Sequence, residues 1–283
     1  MSQTTLLPTS VLDNLAPYST IAADLARDGF AVAPGLLSVD EIDTIRAVFM
    51  AEAANGPVEH LSDGHYLGLD AGDPLAFYPR MMNPHNFPDL GVGPVARRFM
   101  LDGRIHDILA DALGEEPLAA QSMFYFKPSG ARGQDLHQDN FYLRVAPGTC
   151  YAAWIAVDAS DQDNGGMMVV PGSQASELVC PQPSDTSVSF TNARVPVPDG
   201  LAPELVPLQP GDVLFFNGSV IHGSYPNTST DRFRRSLIFH YVPRSSSELS
   251  GGYDSLTFDG EPVAIPAAQG GGPCGAPMEF VRH

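Results

Sequence analysis

Basic residues are scarce in this sequence. Its 283 residues carry 15 Lys+Arg against 33 Asp+Glu, a formal net charge of −18 at pH 7. That balance repels a phosphate backbone, which excludes nucleic acid as a partner class. Lys127 is the only lysine, so an anionic ligand would be held mainly by forked guanidinium groups. Cysteine is scarce as well. Cys150, Cys180 and Cys274 are odd in number and none is grouped with histidines at zinc spacing, so neither a disulfide framework nor a zinc site is expected. No stretch approaches the roughly 20 apolar residues of a membrane span, and the first residues lack the basic and apolar runs of a secretory signal. The resulting expectation is a chain without a membrane partner, in a reducing, cytoplasmic setting.

What the sequence does have is enough apolar material, 43% of its residues, to bury a sizeable core. Thr20 to Phe30 places Ile21, Leu25 and Phe30 at helical intervals and meets a stop at Gly29. Phe30-Ala-Val-Ala reads as a strand. Ser38-Val-Asp-Glu41 is a capping box opening a second helix through Ile42, Ile45, Val48 and Phe49. A third helix is expected from Ile105 through Leu113, ending at Gly114.

From about Leu118 the helical period gives way to aromatic and β-branched runs broken by Gly, Pro, Asn and Asp. Strands are expected at Ala120 to Phe126, Thr149 to Val157, Met167 to Val170, Glu204 to Pro207, Asp212 to Phe216 and Arg234 to Val242. The fold class that follows is mainly β with flanking helices, a barrel or jelly roll under an N-terminal helical layer. One domain over 1–283 is expected: a helical and irregular part to about 117, a β core over about 118–245, and an irregular C-terminal arm over about 246–283.

Within the β half, Leu136-His137-Gln138-Asp139 sets a histidine and an aspartate two apart. On an extended strand both project from one face and can grip one metal. Imidazole and carboxylate suit Fe(II), and a facial set of two histidines and one carboxylate leaves positions open for a co-substrate and dioxygen. His222, after an apolar strand and before the turn-rich run from Gly223 to Asn227, is the second histidine. In the run from Arg234, residues 234, 236, 238 and 240 share one face, so an inward arginine offers a fork for a dicarboxylate. Arg235, on the opposite face, is the competing choice.

In this order, the residues resemble the phytanoyl-CoA dioxygenase-like branch of Fe(II)/2-oxoglutarate oxygenases. The resemblance is carried by Lys127-Pro128, His137-Gln138-Asp139, Trp154, Asp163-Asn164-Gly165, Val169-Val170-Pro171-Gly172-Ser173, Gly211-Asp212-Val213, His222-Gly223-Ser224 and Phe233-Arg234-Arg235. It implies a double-stranded β-helix of jelly-roll or cupin-like form. It also implies iron ligands at His137, Asp139 and His222, and a grip on the far carboxylate of 2-oxoglutarate by Arg234 and Ser224. Met123, Gln138 and Trp154 match positions lining the co-substrate pocket, and Arg80 a further basic contact. Because Asp139 is kept, the resemblance implies the hydroxylase set rather than a halide site.

The rest of the site is read from proximity. Phe141 and Tyr142 follow the metal motif directly and are expected to line the substrate pocket, with Asn140, Arg144 and His85 as polar contacts at its mouth. His240 shares the face of Arg234 and is either a core histidine or a group near the site. Lys127 reads most simply as a solvated strand-end residue. Leu67 to Pro88 is either a lid or a wrap around the barrel. The activity implied is hydroxylation of an unactivated C–H bond of a small organic substrate by Fe(II), 2-oxoglutarate and dioxygen. Desaturation, epimerisation or cyclisation on the same centre, or a non-enzymatic cupin-like binding protein, are the rivals.

Overall fold

The computed structural model describes residues 16–176, 178–269 and 274. Helix α1 (Ile21–Asp28) ends where Gly29 takes a left-handed φ of 83° and returns its N–H to Leu25. Strand β1 (Phe30–Ala33) leads into α2 (Val39–Ala54), opened by a reciprocal box between Ser38 and Glu41. Two further helices, α3 (Val92–Met100) and α4 (Gly103–Leu113), complete the layer, α4 closing on left-handed Gly114. Of these only α3 is missed by the sequence, because Gly93 and Pro94 at its start read as breakers.

The β half contains β2 (Pro117–Tyr125), β3 (Gln134–His137), β4 (Tyr151–Ala156), β5 (Met167–Val169), β6 (Glu204–Val206), β7 (Val213–Asn217), β8 (His222–Ser224) and β9 (Ser236–Pro243). They form two antiparallel sheets. The larger runs β1-β7-β4-β9-β2 with two-residue strands added at its far edge, and the smaller runs β3-β8-β5-β6. This is the double-stranded β-helix, with the helices laid on the outer face of the larger sheet.

Strand periodicity explains the layering. Leu237, Phe239 and Tyr241 join the helices in one apolar cluster, whereas Ile238 faces the smaller sheet with Trp154, Leu214 and Phe216. Both faces of the large sheet are covered, so its central strands read as continuous apolar runs rather than alternating ones. The segment after Leu67 wraps the barrel: Met81–Met82 pairs with β2 at Phe124 and Met123.

Two expectations are corrected. Cys180 and Cys274 form a disulfide; an odd count excludes a full set of bridges but not one bridge between residues far apart in sequence, and the inference to a reducing compartment loses that support. Lys127 is buried, not solvated: only 2% of its surface is exposed. The arm's residues 270–273 and 275–283, like 1–15, lie outside the described residues. Among the described residues no helix is long and apolar enough to cross a membrane.

Candidate metal centre and its two cavities

The antiparallel pairing of β3 with β8 sets His137 directly opposite His222. Their rings lie 4.2 Å apart between centroids. His137 ends β3, and Asp139 is not on the strand as expected. It occupies the N-cap position of a short helix, α5 (Asn140–Leu143), with helical φ and ψ of −63° and −35°. The tight turn, not the two-residue strand repeat, brings its carboxylate to the histidines. One ligand atom from each of His137, Asp139 and His222 lies within 4.8 Å of the others.

The hydrogen bonds prepare these groups for a cation. His137 Nδ1 meets the Asp135 carbonyl and His222 Nδ1 the Val220 carbonyl, each at 3.0 Å. Donation at Nδ1 leaves the Nε2 lone pairs facing the carboxylate, 3.4 Å and 3.5 Å from Asp139 oxygens. Burial pushes the His222 imidazole down to about 4 against the pull of Asp139, so it is a neutral ligand near pH 7. Burial opposes the charge of Asp139, yet the neighbouring imidazoles of His222, His240 and His137 hold its carboxyl well below the usual range. Two imidazoles and one carboxylate in a buried cleft fit a divalent metal.

Beside the triad lies an inner pocket bounded by Met123, Trp154, Phe216, Ser224 and Arg234. Arg234 is 2% exposed, and burial pushes it down to about 10. Its Nε donates to the Gly165 carbonyl and one Nη to Ser236 Oγ, and the guanidinium stacks 5.3 Å over Trp154. Among the described residues it forms no ion pair, so its remaining donors suit an incoming carboxylate. Ser224 Oγ accepts from Lys127 Nζ at 2.8 Å and from the Gln134 N–H at 3.3 Å, which leaves its own O–H to donate. Arg235 is committed elsewhere, in a two-pronged pair with Asp158 at 2.7 Å on each arm.

An outer cavity of about 410 Å³ opens on the other side of the triad. Tyr142 and His240 line it, together with Tyr66, Gln121, Phe190 and Tyr253 from distant segments. Arg80 lies here rather than in the inner pocket, paired with Asp63 through Nε at 3.0 Å and hydrogen-bonded to Tyr125.

Several expected contacts are corrected. Gln138 turns away, its amide held by the Ser219 carbonyl and the Val179 N–H. Asn140 ties the turn after α5, exchanging hydrogen bonds with Val145. Phe141 faces a small groove with Pro181 and Val195. Arg144 donates to the Gln269 carbonyl of the C-terminal arm. His85 is a core residue, its Nδ1 2.6 Å from Ser122 Oγ. Each of the first four follows from α5: once the chain turns helical at Asp139, its neighbours diverge from the cavity, and it is Tyr142 and Leu143 that return to it.

The family model described as phytanoyl-CoA dioxygenase (PhyH) matches residues 25–236. Phytanoyl-CoA dioxygenase 1 of Oryza sativa subsp. japonica is 29% identical over 160 residues, covering 56% of each chain, so this chain spans about half the length of that relative. Among solved structures, the non-heme alpha ketoglutarate dependent carbocyclase SnoK from nogalamycin biosynthesis superposes with a TM-score of 0.62 at 21% identity over 98% of both chains. The epimerase SnoN in complex with Fe3+, alpha ketoglutarate and nogalamycin RO superposes at 0.60 and 21% identity, over 93% of this chain and 96% of that one. Both likenesses are of fold.

Proposed function

Because the chain belongs to the phytanoyl-CoA dioxygenase family of iron- and 2-oxoglutarate-dependent oxygenases, we propose that it hydroxylates a C–H bond of a small organic molecule held in the outer cavity. The observation that carries this reading is a triad of metal-binding character lying between two cavities, one of them ending in a buried arginine without an ion-pair partner among the described residues. His137, Asp139 and His222 would hold the metal. Iron, 2-oxoglutarate and dioxygen together supply the oxidising power, with succinate and CO₂ as co-products.

The protein's share is binding, orientation and exclusion of water. Arg234 and the Ser224 hydroxyl hold the far carboxylate of 2-oxoglutarate, and Trp154 and Phe216 keep that end dry. Lys127, its charge disfavoured by burial and then by nearby Arg234, fixes Ser224 and the Tyr225 carbonyl from behind. On the substrate side Arg80, the one arginine or lysine among the described residues of the wall, is already matched by Asp63. Such a wall has no surplus positive charge for the phosphates of an acyl-CoA and suits a compact, polar molecule with ring surface for Tyr66, Tyr142, Phe190 and Tyr253.

The test is an anaerobic titration with Fe(II) followed by 2-oxoglutarate, watched for the visible charge-transfer band of the chelate. The band is expected in the wild type, absent in Asp139→Ala and weakened in Arg234→Ala. Tight metal binding with no band on adding 2-oxoglutarate would overturn the reading. Succinate release over a panel of substrates then finds the prime substrate. Mass spectrometry separates the outcome, since hydroxylation adds one oxygen, desaturation or ring closure removes two hydrogens and epimerisation leaves the mass unchanged.

A further inference from the structure

His240 has no role in binding metal or 2-oxoglutarate as set out above, yet it is 2% exposed in the middle of β9. Its neighbours Phe239 and Tyr241 point to the helical side, and opposite it on β4 stands Ala152, small enough to leave the ring room. Immediately after His240 the pairing with β2 slips by one residue, from Gln121 to Ala119, the kind of irregularity that re-aims a side chain. The ring is thereby directed at the metal centre, and its Nε2 lies 2.9 Å from Asp139 Oδ2.

The other ring nitrogen, Nδ1, is buried with no hydrogen-bond partner. An N–H there would be a buried donor with nothing to accept it, so the proton belongs on Nε2, where it is donated to the carboxylate. Among the described residues Asp139 is therefore the sole hydrogen-bond partner of this imidazole. This bond ties β9 to the turn after β3, but an apolar side chain would fill the same space at lower cost if packing were all that position required.

We infer that His240 is a positioning residue for Asp139: its bond to Oδ2 sets the plane of a carboxylate whose Oδ1 lies 3.4 Å from His137 Nε2 and whose Oδ2 lies 3.5 Å from His222 Nε2, and so would fix how Asp139 is presented to the metal. The inference rests on the proposed function. It differs from an orienting bond on a histidine ligand, because what is fixed here is the orientation of the carboxylate.

The experiment compares wild type, His240→Leu and His240→Gln. Glutamine carries its amide nitrogen near the place of Nε2 and keeps a donor for Asp139; leucine keeps only the volume. Anaerobic titration with Co(II) gives both the affinity and, from the intensity of the visible bands, the coordination number. Melting temperatures of the metal-free proteins report folding independently. Loss of an outer partner of a metal ligand costs about 10- to 100-fold in metal affinity. His240→Leu is expected to bind Co(II) more weakly by that factor with changed band intensity, and His240→Gln to recover most of both. If His240→Leu matches the wild type in affinity and spectrum, or His240→Gln is no better than His240→Leu although its metal-free form melts like the wild type, the inference falls and the proposed function stands. Absence of Co(II) and Fe(II) binding in the wild type would overturn both.

Discussion

Arg234 and Arg235 are adjacent in sequence and opposite in surroundings. Arg234 is buried against Trp154 and forms no ion pair among the described residues, whereas Arg235 clasps Asp158 with two nitrogens and donates its backbone N–H to the same carboxylate. Just before β9 begins at Ser236, the two side chains part, one toward the inner pocket and the other toward Asp158.

That divergence separates binding from stability. Arg234→Ala removes charge-assisted hydrogen bonds worth about 1.5–3 kcal/mol to a carboxylate, so 2-oxoglutarate affinity is expected to fall by about 10- to 100-fold. Arg235→Ala removes both guanidinium bonds to Asp158, a mostly buried carboxylate left with the backbone N–H of residue 235 and the longer 3.6 Å contact to Arg46, and is expected to lower the melting temperature while leaving 2-oxoglutarate affinity unchanged. Calorimetric titration and thermal melts on the same two variants check both halves.

Gly165 makes a second contrast. Its φ is +88°, and a Cβ there would lie 2.3 Å from Lys127 Cδ and 2.9 Å from the Tyr225 carbonyl oxygen. Gly172 has a similar φ of +79° but open space around it. Gly172→Ala is expected to cost only the backbone strain, about 1–2 kcal/mol, in chemical denaturation. Gly165→Ala is expected to cost more, and to weaken 2-oxoglutarate binding as well, because the carbonyl of Gly165 accepts from Arg234 Nε.

Acid sensitivity should trace in part to His85. Burial, and then nearby Arg97, push its imidazole from 6.5 down to about 4. The unfolded chain therefore binds the proton more readily than the folded one, so the contribution of neutral His85 is fully present above about pH 6.5 and is lost as pH falls towards 4. At 1.36 kcal/mol per unit the loss is on the order of 3 kcal/mol. His85→Asn, which retains a group near Nδ1 for Ser122, is expected to flatten the stability curve in this window; a variant curve parallel to the wild type would refute the assignment.

Thiol counting tests the crosslink between Cys180 and Cys274. Cys150 is fully buried and its thiol is pushed well up by that burial. The native protein is expected to react with no thiol reagent, the unfolded unreduced protein with one equivalent, and the reduced protein with all three cysteines.

Much of the fold is legible in the sequence because its signals are local. Gly29, Gly114 and the Ser38/Glu41 box mark helix ends by chemistry that needs no distant partner. The metal-binding residues are legible because an unusual combination of side chains stands in a recognisable order. The cavity wall is not. Tyr66, Gln121, Phe190 and Tyr253 converge from four segments, and nothing in their own neighbourhoods distinguishes them from ordinary aromatic and polar residues. Adjacency to His137 and Asp139 misleads for Asn140, Phe141 and Arg144, since the short helix after Asp139 carries them elsewhere. Lys127 misleads for the complementary reason: a charged residue before proline reads as exposed, and only Ser224 and the Tyr225 carbonyl, nearly a hundred positions away, account for its burial.

The bridge between Cys180 and Cys274 joins residues 94 apart, so the chain between them is a covalently closed ring. His222, Arg234 and His240 lie inside the ring; His137 and Asp139 lie on the stretch leading into it. A protease that nicks any one surface loop between these cysteines would open the ring without releasing a piece. The cut protein would keep its full mass on an unreduced gel and separate into two fragments only when a thiol is added, so limited digestion of this protein must be read under both conditions.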